Sequence, residues 1–346
     1  MMIIGCDFHP SWQQIAWLES ETGETGDAKL VHAAGEAKQF YAGLTKPALV
    51  GMEATGNSQW FVELLEDLGH GIWIGDAAQI RASYVRKQKT DKRDAAHLLK
   101  LLLEGRFPKL WTPDPEQRDL RQLVLHRHKL VEMRCRVKNE LQHLSLNKGM
   151  QRKRTLWSQA GLQLLRELPL KPWASCRRAD LLRLLALFDD QIGKLDEAVQ
   201  QAAEQHPQAK LLMTQPGVGP NTALAFVLTI GDVARFPRGK QVASYLGLIP
   251  RERSSGGRQR LGAISKQGNR WLRCLLVEAT HNVVRLDPGF GKQYLHHCHQ
   301  KPKGVAKVAV ARKLAVRLYW MLRTQVGYPE IVRIESSPRV PLASAS

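Results

Sequence analysis

Over the first hundred or so residues, short apolar runs alternate with stretches of helical spacing. "MIIGCDF" (2–8) and "WQQIAWLES" (12–20) read as short strands, and "KLVHAA" (29–34) as a third. "ALVGMEA" (48–54) is an apolar run of the buried-strand type. "SQWFVELLEDLG" (58–69) follows with helical periodicity and a glycine stop, and "HGIWIG" (70–75) is a further strand. After the basic loop "RKQKT" (86–90), residues 91–104 resume as a helix ending at Gly105. Strands alternating with helices predict an α/β layer built on a mainly central sheet, over residues 1–112.

From 113 to 205 the pattern changes to long helices. Leu123, Leu130, Val137 and Leu144 fall seven apart, while Leu181, Leu185, Phe188, Ile192, Leu195 and Val199 alternate by four and three. That is the seam of a coiled coil. A hairpin folded within one chain and a seam between two chains satisfy the pattern equally. Gly193 weakens the second helix, and "KGMQRKR" (148–154) between the two reads as a solvated basic stretch. Residues 206–325 are helical again but broken by glycine-rich loops. A tail over 326–346, ending in "SSPRVPLASAS", is expected to be disordered.

Charge sharpens this division. Residues 1–85 hold 4 Lys+Arg against 11 Asp+Glu, leaving 47 against 21 for the rest of a chain whose net charge is +19. An excess of +26 spread over some 260 positions points to phosphate backbones rather than to a membrane surface, which favours one juxtamembrane cluster. No apolar run approaches the ~20 residues of a membrane span. The start "MMIIGCDFHP" has neither a basic n-region nor a small-residue cleavage site, so no signal peptide is expected. Five scattered cysteines, never spaced CxxC, argue for a reducing cytoplasm over a disulfide framework.

Within so basic a chain four acids stand out. Asp7 ends the first strand and Glu53 ends the apolar run "ALVGME". Asp91 and Asp94, in "KTDKRDAAHL", are three apart, so a helix puts them on one face. Taken singly, each has an ordinary reading as a turn cap, a solvated side chain or a favourable charge at a helix N-terminus. Taken together, two strand-end acids and two on one helical face converge on a divalent-cation site. Oxygen ligands of this kind suit Mg²⁺, with Mn²⁺ as an alternative, and paired ions serve phosphodiester chemistry.

Two later stretches carry further chemistry. In "TQPGVGPNTALAFVLTIGD" (214–232), Gly217 and Gly219 open a helix as in half of a helix-hairpin-helix, a phosphate grip, although an ordinary helix–helix turn looks the same. In "YLGLIPRERSSGGRQRLGAISKQGNRWLRCLL" (245–276), Ser254 and Ser255 precede Gly256 and Gly257 among Arg251, Arg253, Arg258 and Arg260. Arginines ligate phosphate oxygens bidentately, and a serine among them is placed either to attack the phosphorus or merely to contact the backbone. No general base is evident beside it in sequence. Lys266, Asn269, Arg270 and Arg273 read as a polar turn and the basic face of a helix, suited to nucleic-acid contact. "YLHHCHQ" (294–300) suggests zinc, but adjacent ligands cannot all face one ion and no second half follows.

From "IIGCDFH" through "GMEATGNS", "KTDKRDAAHL" and "PGVG" to "YLGLIPRERSSGG" and "ISKQGNRWLR", the chain resembles the insertion sequence 110 family of DEDD transposases, the bridge-RNA-guided recombinases. The resemblance covers nearly the whole chain. It implies an N-terminal RuvC-like domain of RNase H fold (1–112), a coiled-coil segment (113–205) and a mainly α C-terminal transposase domain (206–325). It further implies Asp7, Glu53, Asp91 and Asp94 as ligands of Mg²⁺, and the serine before the glycines, Ser255 with Ser254 beside it, as the nucleophile. Donor and target DNA would be the substrates, chosen by a noncoding guide (bridge) RNA from the element's flank. Dimers would assemble to a tetramer in which the acids and the serine of a composite site come from different protomers, working at the nucleoid. Two rivals stay open on the residues alone. One is a RuvC-like junction nuclease in which metal-activated water cuts, and the other a nucleic-acid-binding protein whose acids are structural.

Overall fold

The computed structural model describes residues 1–84, 90–151, 155–254 and 258–336. The chain divides into two compact units, Met1–Thr112 and Pro113–Ser346.

In the first unit β1 (Met2–Phe8), β2 (Trp12–Glu19) and β3 (Thr25–Val31) form an antiparallel meander. The helix α1 (Glu36–Ala42) leads to β4 (Leu49–Glu53), and α2 (Gln59–Asp67) leads to β5 (Gly71–Gly75). The unit ends with α3 (Ala77–Ala82) and α4 (Asp91–Leu103). The strand order is β3-β2-β1-β4-β5, with β4 parallel to β1 and β5 parallel to β4. Side chains alternate across the sheet. Ile4, Cys6, Val50 and Met52 pack with Tyr41, Phe61 and Leu65 of α1 and α2 on one face. Ile3, Leu49 and Trp73 pack with Ile80, Leu98, Leu101 and Leu102 of α3 and α4 on the other.

The third strand begins four residues earlier than "KLVHAA" suggests and stops at Val31. The tight turn in which Gly23 takes φ 74° and Glu19 N–H donates to Glu24 O starts the pairing at Thr25. A second turn, with Gly35 N–H on His32 O, removes 32–35 from the sheet. The short helices α1 and α3 have only weak periodic signals. Asp76 nucleates α3 by accepting from the Ala78 and Gln79 amides.

The second unit is mostly helical. It runs α5 (Pro115–Leu146), α6 (Gln159–Glu167), α7 (Pro172–Gln205), α8 (Pro207–Met213), α9 (Pro220–Ile230) and α10 (Gly239–Tyr245). A hairpin of β6 (Pro250–Glu252) and β7 (Leu261–Ile264) follows, then α11 (Arg270–Leu286), α12 (Pro288–Gln300), α13 (Lys303–Thr324) and α14 (Glu330–Ser336). Proline opens α5, α7, α8, α9 and α12, where its missing N–H costs nothing, so the breaks between these helices are written in the sequence.

α5 and α7 pair antiparallel within the chain. Arg127 reaches Asp196 at 2.7 Å and Arg134 reaches Asp189 at 2.9 Å. Val137, Leu141 and Leu144 bury against Leu181 and Leu185 at the far end, so the apolar seam is covered inside one chain. A larger core surrounds α9, whose residues from Thr222 to Ile230 are all buried among α7, α11 and α13. Helices before and after residue 206 thus share one unit. The basic stretch at 152–154 lies outside the described residues. The expected disordered tail needs correction at its start. Residues 330–336 form α14, and Ile331 is 2% exposed against the core, because an apolar anchor six residues beyond Gln325 can still reach it. Residues 337–346 lie outside the described part.

Candidate active site

Two glycines seat α4 on the sheet. A Cβ on Gly5 would stand 2.3 Å from both the Ala95 carbonyl oxygen and the Leu99 nitrogen, and one on Gly51 would meet Leu102 at 2.7 Å. With no side chains there, helix backbone rests directly on strand backbone. Cys6 of β1 is paired with Met52 of β4, so Asp7 and Glu53 are the next residues along two neighbouring parallel strands. By strand alternation they share the α4 face with Gly5 and Gly51. Asp91 lies one turn before Ala95 and Asp94 directly before it, which brings the start of α4 over the strand ends. Thr90, not either aspartate, caps the helix by accepting from the Arg93 amide. Residues 86–89 of the preceding basic loop lie outside the described residues.

The side chains meet as follows. His9 Nε2 is 3.2 Å from Asp7 Oδ2 and 3.9 Å from Asp91 Oδ1. One ligand atom from each of these three residues lies within 4.8 Å of the other two, close enough among the described residues to share an ion. The His9 ring stacks on Trp12 at 4.2 Å, which fixes its plane. Asp94, only 3% exposed, accepts from the Tyr84 hydroxyl at 2.8 Å. Tyr84 stacks on His97, whose Nε2 is 2.7 Å from Ser83 Oγ. Glu53 is half-buried at its strand end and outside the three-residue group.

Electrostatics link the acids. Burial raises the Asp7 carboxyl above its ordinary range; His9 opposes this, while Asp94 and Asp91 push the same way as burial. The Tyr84 hydroxyl is raised by burial first, then by Asp94, Asp7 and Glu53. Mutual repulsion among carboxylates is what a divalent cation relieves, and a donor set of oxygens with one imidazole fits Mg²⁺ or Mn²⁺. His9 and Tyr84 were not singled out from the sequence. The signal for His9 was its position two residues past Asp7; Tyr84 becomes visible only once α4 is docked.

In the second unit Arg251, Arg253, Arg258 and Arg260 are all exposed on and beside the β6–β7 hairpin. The Ser254 hydroxyl donates to Glu252 Oε1 at 2.6 Å and accepts from the Arg260 amide at 3.1 Å. Ser255, Gly256 and Gly257 lie outside the described residues. Glu252, two residues before Ser254, is the carboxylate that this hydroxyl contacts, a neighbour the sequence alone did not single out. Lys266 and Arg270 are exposed.

Arg273 requires a correction. It is 9% exposed, and its Nη1 donates to the carbonyls of Leu246 and Gln267, so it props the turn before α11 and is withdrawn from the basic face. Asn269 spends its Oδ1 on capping α11 at Leu272 and its Nδ2 on Thr229. Gly217, at φ 86°, lies where a Cβ would strike the Val283 nitrogen at 2.6 Å, so helix packing explains this glycine. Gly219 opens α9 with no side-chain cap, beside a cleft that Arg127, Asn221 and His281 also line.

Comparison with known proteins places these features in a family. A DEDD transposase model of IS110 type matches residues 4–146, and the model described as "Transposase IS116/IS110/IS902 family" matches 209–295. A probable family 20 transposase of Pseudomonas aeruginosa is 30% identical over 298 residues, 83% of this chain and 87% of that protein. The transposase for insertion sequence element IS1111A of Coxiella burnetii is 27% identical, covering 69% of this chain and 67% of its own. The transposase for IS1328 of Yersinia enterocolitica is 26% identical, covering 81% and 84%. Among the described residues no helix is long and apolar enough to cross a membrane. With one model spanning the acids and the other the arginine hairpin, the chain belongs to the IS110 family and is a DNA transposase of insertion sequences.

Proposed function

We propose that this transposase cuts and exchanges DNA strands between a donor and a target through a serine-linked intermediate, with a carboxylate metal site assisting and a guide RNA selecting both DNAs. The observation that carries the metal site is the meeting of Asp7, His9 and Asp91 within 4.8 Å at the end of β1. A central β1 flanked by an antiparallel meander and two parallel strands supports a RuvC-like, RNase H-type domain. The antiparallel α5–α7 pair supports a coiled-coil segment. The guide RNA, and assembly to a tetramer, rest on family likeness alone, while the +26 excess beyond residue 85 supports binding to phosphate backbones of either nucleic acid.

Asp7, Asp91, Glu53 and Asp94 would hold Mg²⁺ or Mn²⁺, which when bound supplies Lewis acidity to a phosphate oxygen. His9 orients Asp7 through its hydrogen bond, and Tyr84 holds Asp94. The exposed arginines of the hairpin bind the non-bridging oxygens. The serine oxygen bonds to phosphorus, the bond to the leaving sugar oxygen breaks, and that oxygen leaves as a hydroxyl. A second sugar hydroxyl reverses these changes to rejoin the strand. Ser255 is the family's expectation for the nucleophile. Ser254 is the second reading, favoured by its hydrogen bond to Glu252, which is in position to take the proton.

The first test is to express the gene with its flanking DNA, purify the protein and sequence the RNA retained through a high-salt wash. A discrete flank-encoded RNA, lost when that flank is deleted, is expected. Heterogeneous cellular RNA would remove the guided part of the reading. The nucleophile is tested by trapping the protein–DNA adduct. Ser255→Ala abolishing the adduct while Ser254→Ala and Glu252→Gln retain it favours Ser255, and the reverse favours Ser254.

A further inference from the structure

The antiparallel helices α12 and α13, joined through Lys301, enclose a cleft of about 490 Å³ that neither the acids nor the arginine hairpin uses. Phe290, Ala309 and Val316 give it an apolar floor. Gln293 lines it, and its Oε1 is buried with no hydrogen-bond partner. At its mouth stand His297, Lys301, Arg312 and Lys313. Lys301, Arg312 and Lys313 are exposed, and among the described residues no carboxylate pairs with any of the three. Arg317, deeper in, is already neutralised by Asp287 at 2.6 Å and lies over the Phe290 ring at 4.0 Å.

An apolar slot, one orphaned acceptor and a crown of unpaired cations describe an object with a flat face, an N–H edge and a phosphate. We infer that the α12–α13 cleft takes one nucleotide of a single strand. The base enters between Ala309 and Val316, with an N–H donated to the Gln293 amide oxygen once that side chain turns into the cleft, and the phosphate rests among Lys301, Arg312 and Lys313. Stacked duplex cannot offer a base to such a slot, because its bases are paired and covered. A pocket of this volume is at the scale of a small ligand, so it holds one nucleotide and leaves the neighbours outside. The positive mouth also holds His297 below its ordinary pKa, after burial, through Lys301, Lys313 and His296, and a bound phosphate would counter that effect. The inference goes beyond the cleavage chemistry and depends on neither the serine nor the metal.

The test uses full-length protein without added metal and fluorescence anisotropy. The probes are a labelled single-stranded dA hexamer, its rA counterpart, the dA hexamer with one abasic position in the middle, and a duplex of equal length. Ala309→Phe fills the slot without altering charge, and Gln293→Leu removes the amide, acceptor and donor together, at nearly constant shape. Taking about 60 Å² of a base's apolar face out of water is worth about one decade in affinity. Single-strand affinity is therefore expected to fall about tenfold in Ala309→Phe and several-fold in Gln293→Leu, with duplex affinity unchanged. Whichever of dA and rA binds more tightly to wild type, and loses more in the variants, identifies the strand as DNA or RNA. Equal losses for single strand and duplex, or no loss in Gln293→Leu with an unchanged thermal melt, would overturn the inference. So would an abasic strand binding as well as the intact one in wild type.

Discussion

Replacing Gly5 by alanine tests the seating of α4 directly. The added carbon would sit 2.3 Å from the Ala95 oxygen and the Leu99 nitrogen and 3.0 Å from the Leu99 Cα, all backbone atoms that cannot rotate away. Ordinary contacts are about 3.5 Å or more, so α4 must retreat by roughly 1 Å. Inserting a methyl into such packing costs about 1–3 kcal/mol. The same helix carries Asp91 and Asp94, and a displacement near 1 Å in a positioned site lowers turnover about a hundredfold. The assay pairs urea denaturation, followed by tryptophan fluorescence, with strand exchange on plasmids bearing the element's ends. Gly56→Ala is the control, since a carbon there meets nothing within 4 Å. A Gly5→Ala protein with the wild-type urea midpoint and activity within twofold would refute the docking of α4 on β1. Lost activity with intact stability would place the whole effect on the acids' positions.

Three further outcomes follow from other contacts. Asp287→Ala removes the carboxylate from buried Arg317, and also the cap on Phe290 N–H and the acceptor for Gln215, so stability should fall by about 3–5 kcal/mol in urea titrations; a change under 1 kcal/mol would show the pair to be dispensable. Mn²⁺ or Mg²⁺ should raise the melting temperature of wild type, the stabilisation reaching about 2.7 kcal/mol at a hundred times Kd, while Asp7→Asn should melt at least as high as wild type without metal and gain little from it. A metal response undiminished in Asp7→Asn would move the ion elsewhere. Burial holds His206 below its ordinary pKa of 6.5, so the unfolded chain binds the proton more readily. Its contribution is complete above pH 6.5 and is lost as pH falls from there through the depressed native value. Comparing urea midpoints at pH 7.5 and 5.5 should show a smaller acid loss in His206→Gln than in wild type, and equal losses would count against this role.

Much of the first unit was legible because its strands are short apolar runs and its long helices are periodic. α1 and α3 were not, since six or seven residues hold too few turns for a period, and their existence is decided by the sheet they cover. The acids stand out in the sequence because each lies at or near the end or start of an element. Their partners are harder to see: His9 stands two residues past Asp7, but stacking on Trp12 fixes its ring plane, and Tyr84, stacked on His97, meets Asp94 from ten residues away. Arg273 misled for a related reason. A helical wheel counts a charge toward a basic face, but here two carbonyls from the preceding turn claim the guanidinium. The seam leucines carried no information on whether their partner was the same chain. The prolines at 115 and 172 fix where each helix starts, yet the choice depends on the turn between them.

The α5–α7 pair also has a mechanical meaning. At 1.5 Å per residue its 32- and 34-residue helices are about 50 Å long, with the large core around α9 at one end and the small core of Val137, Leu141 and Leu181 at the other. Cross-braced by Arg127–Asp196 and Arg134–Asp189, it is a stiff lever anchored at its root. A tilt of about 10° at that root would carry the tip roughly 9 Å, so a slight repacking around α9 is amplified into a displacement of the far end several times larger.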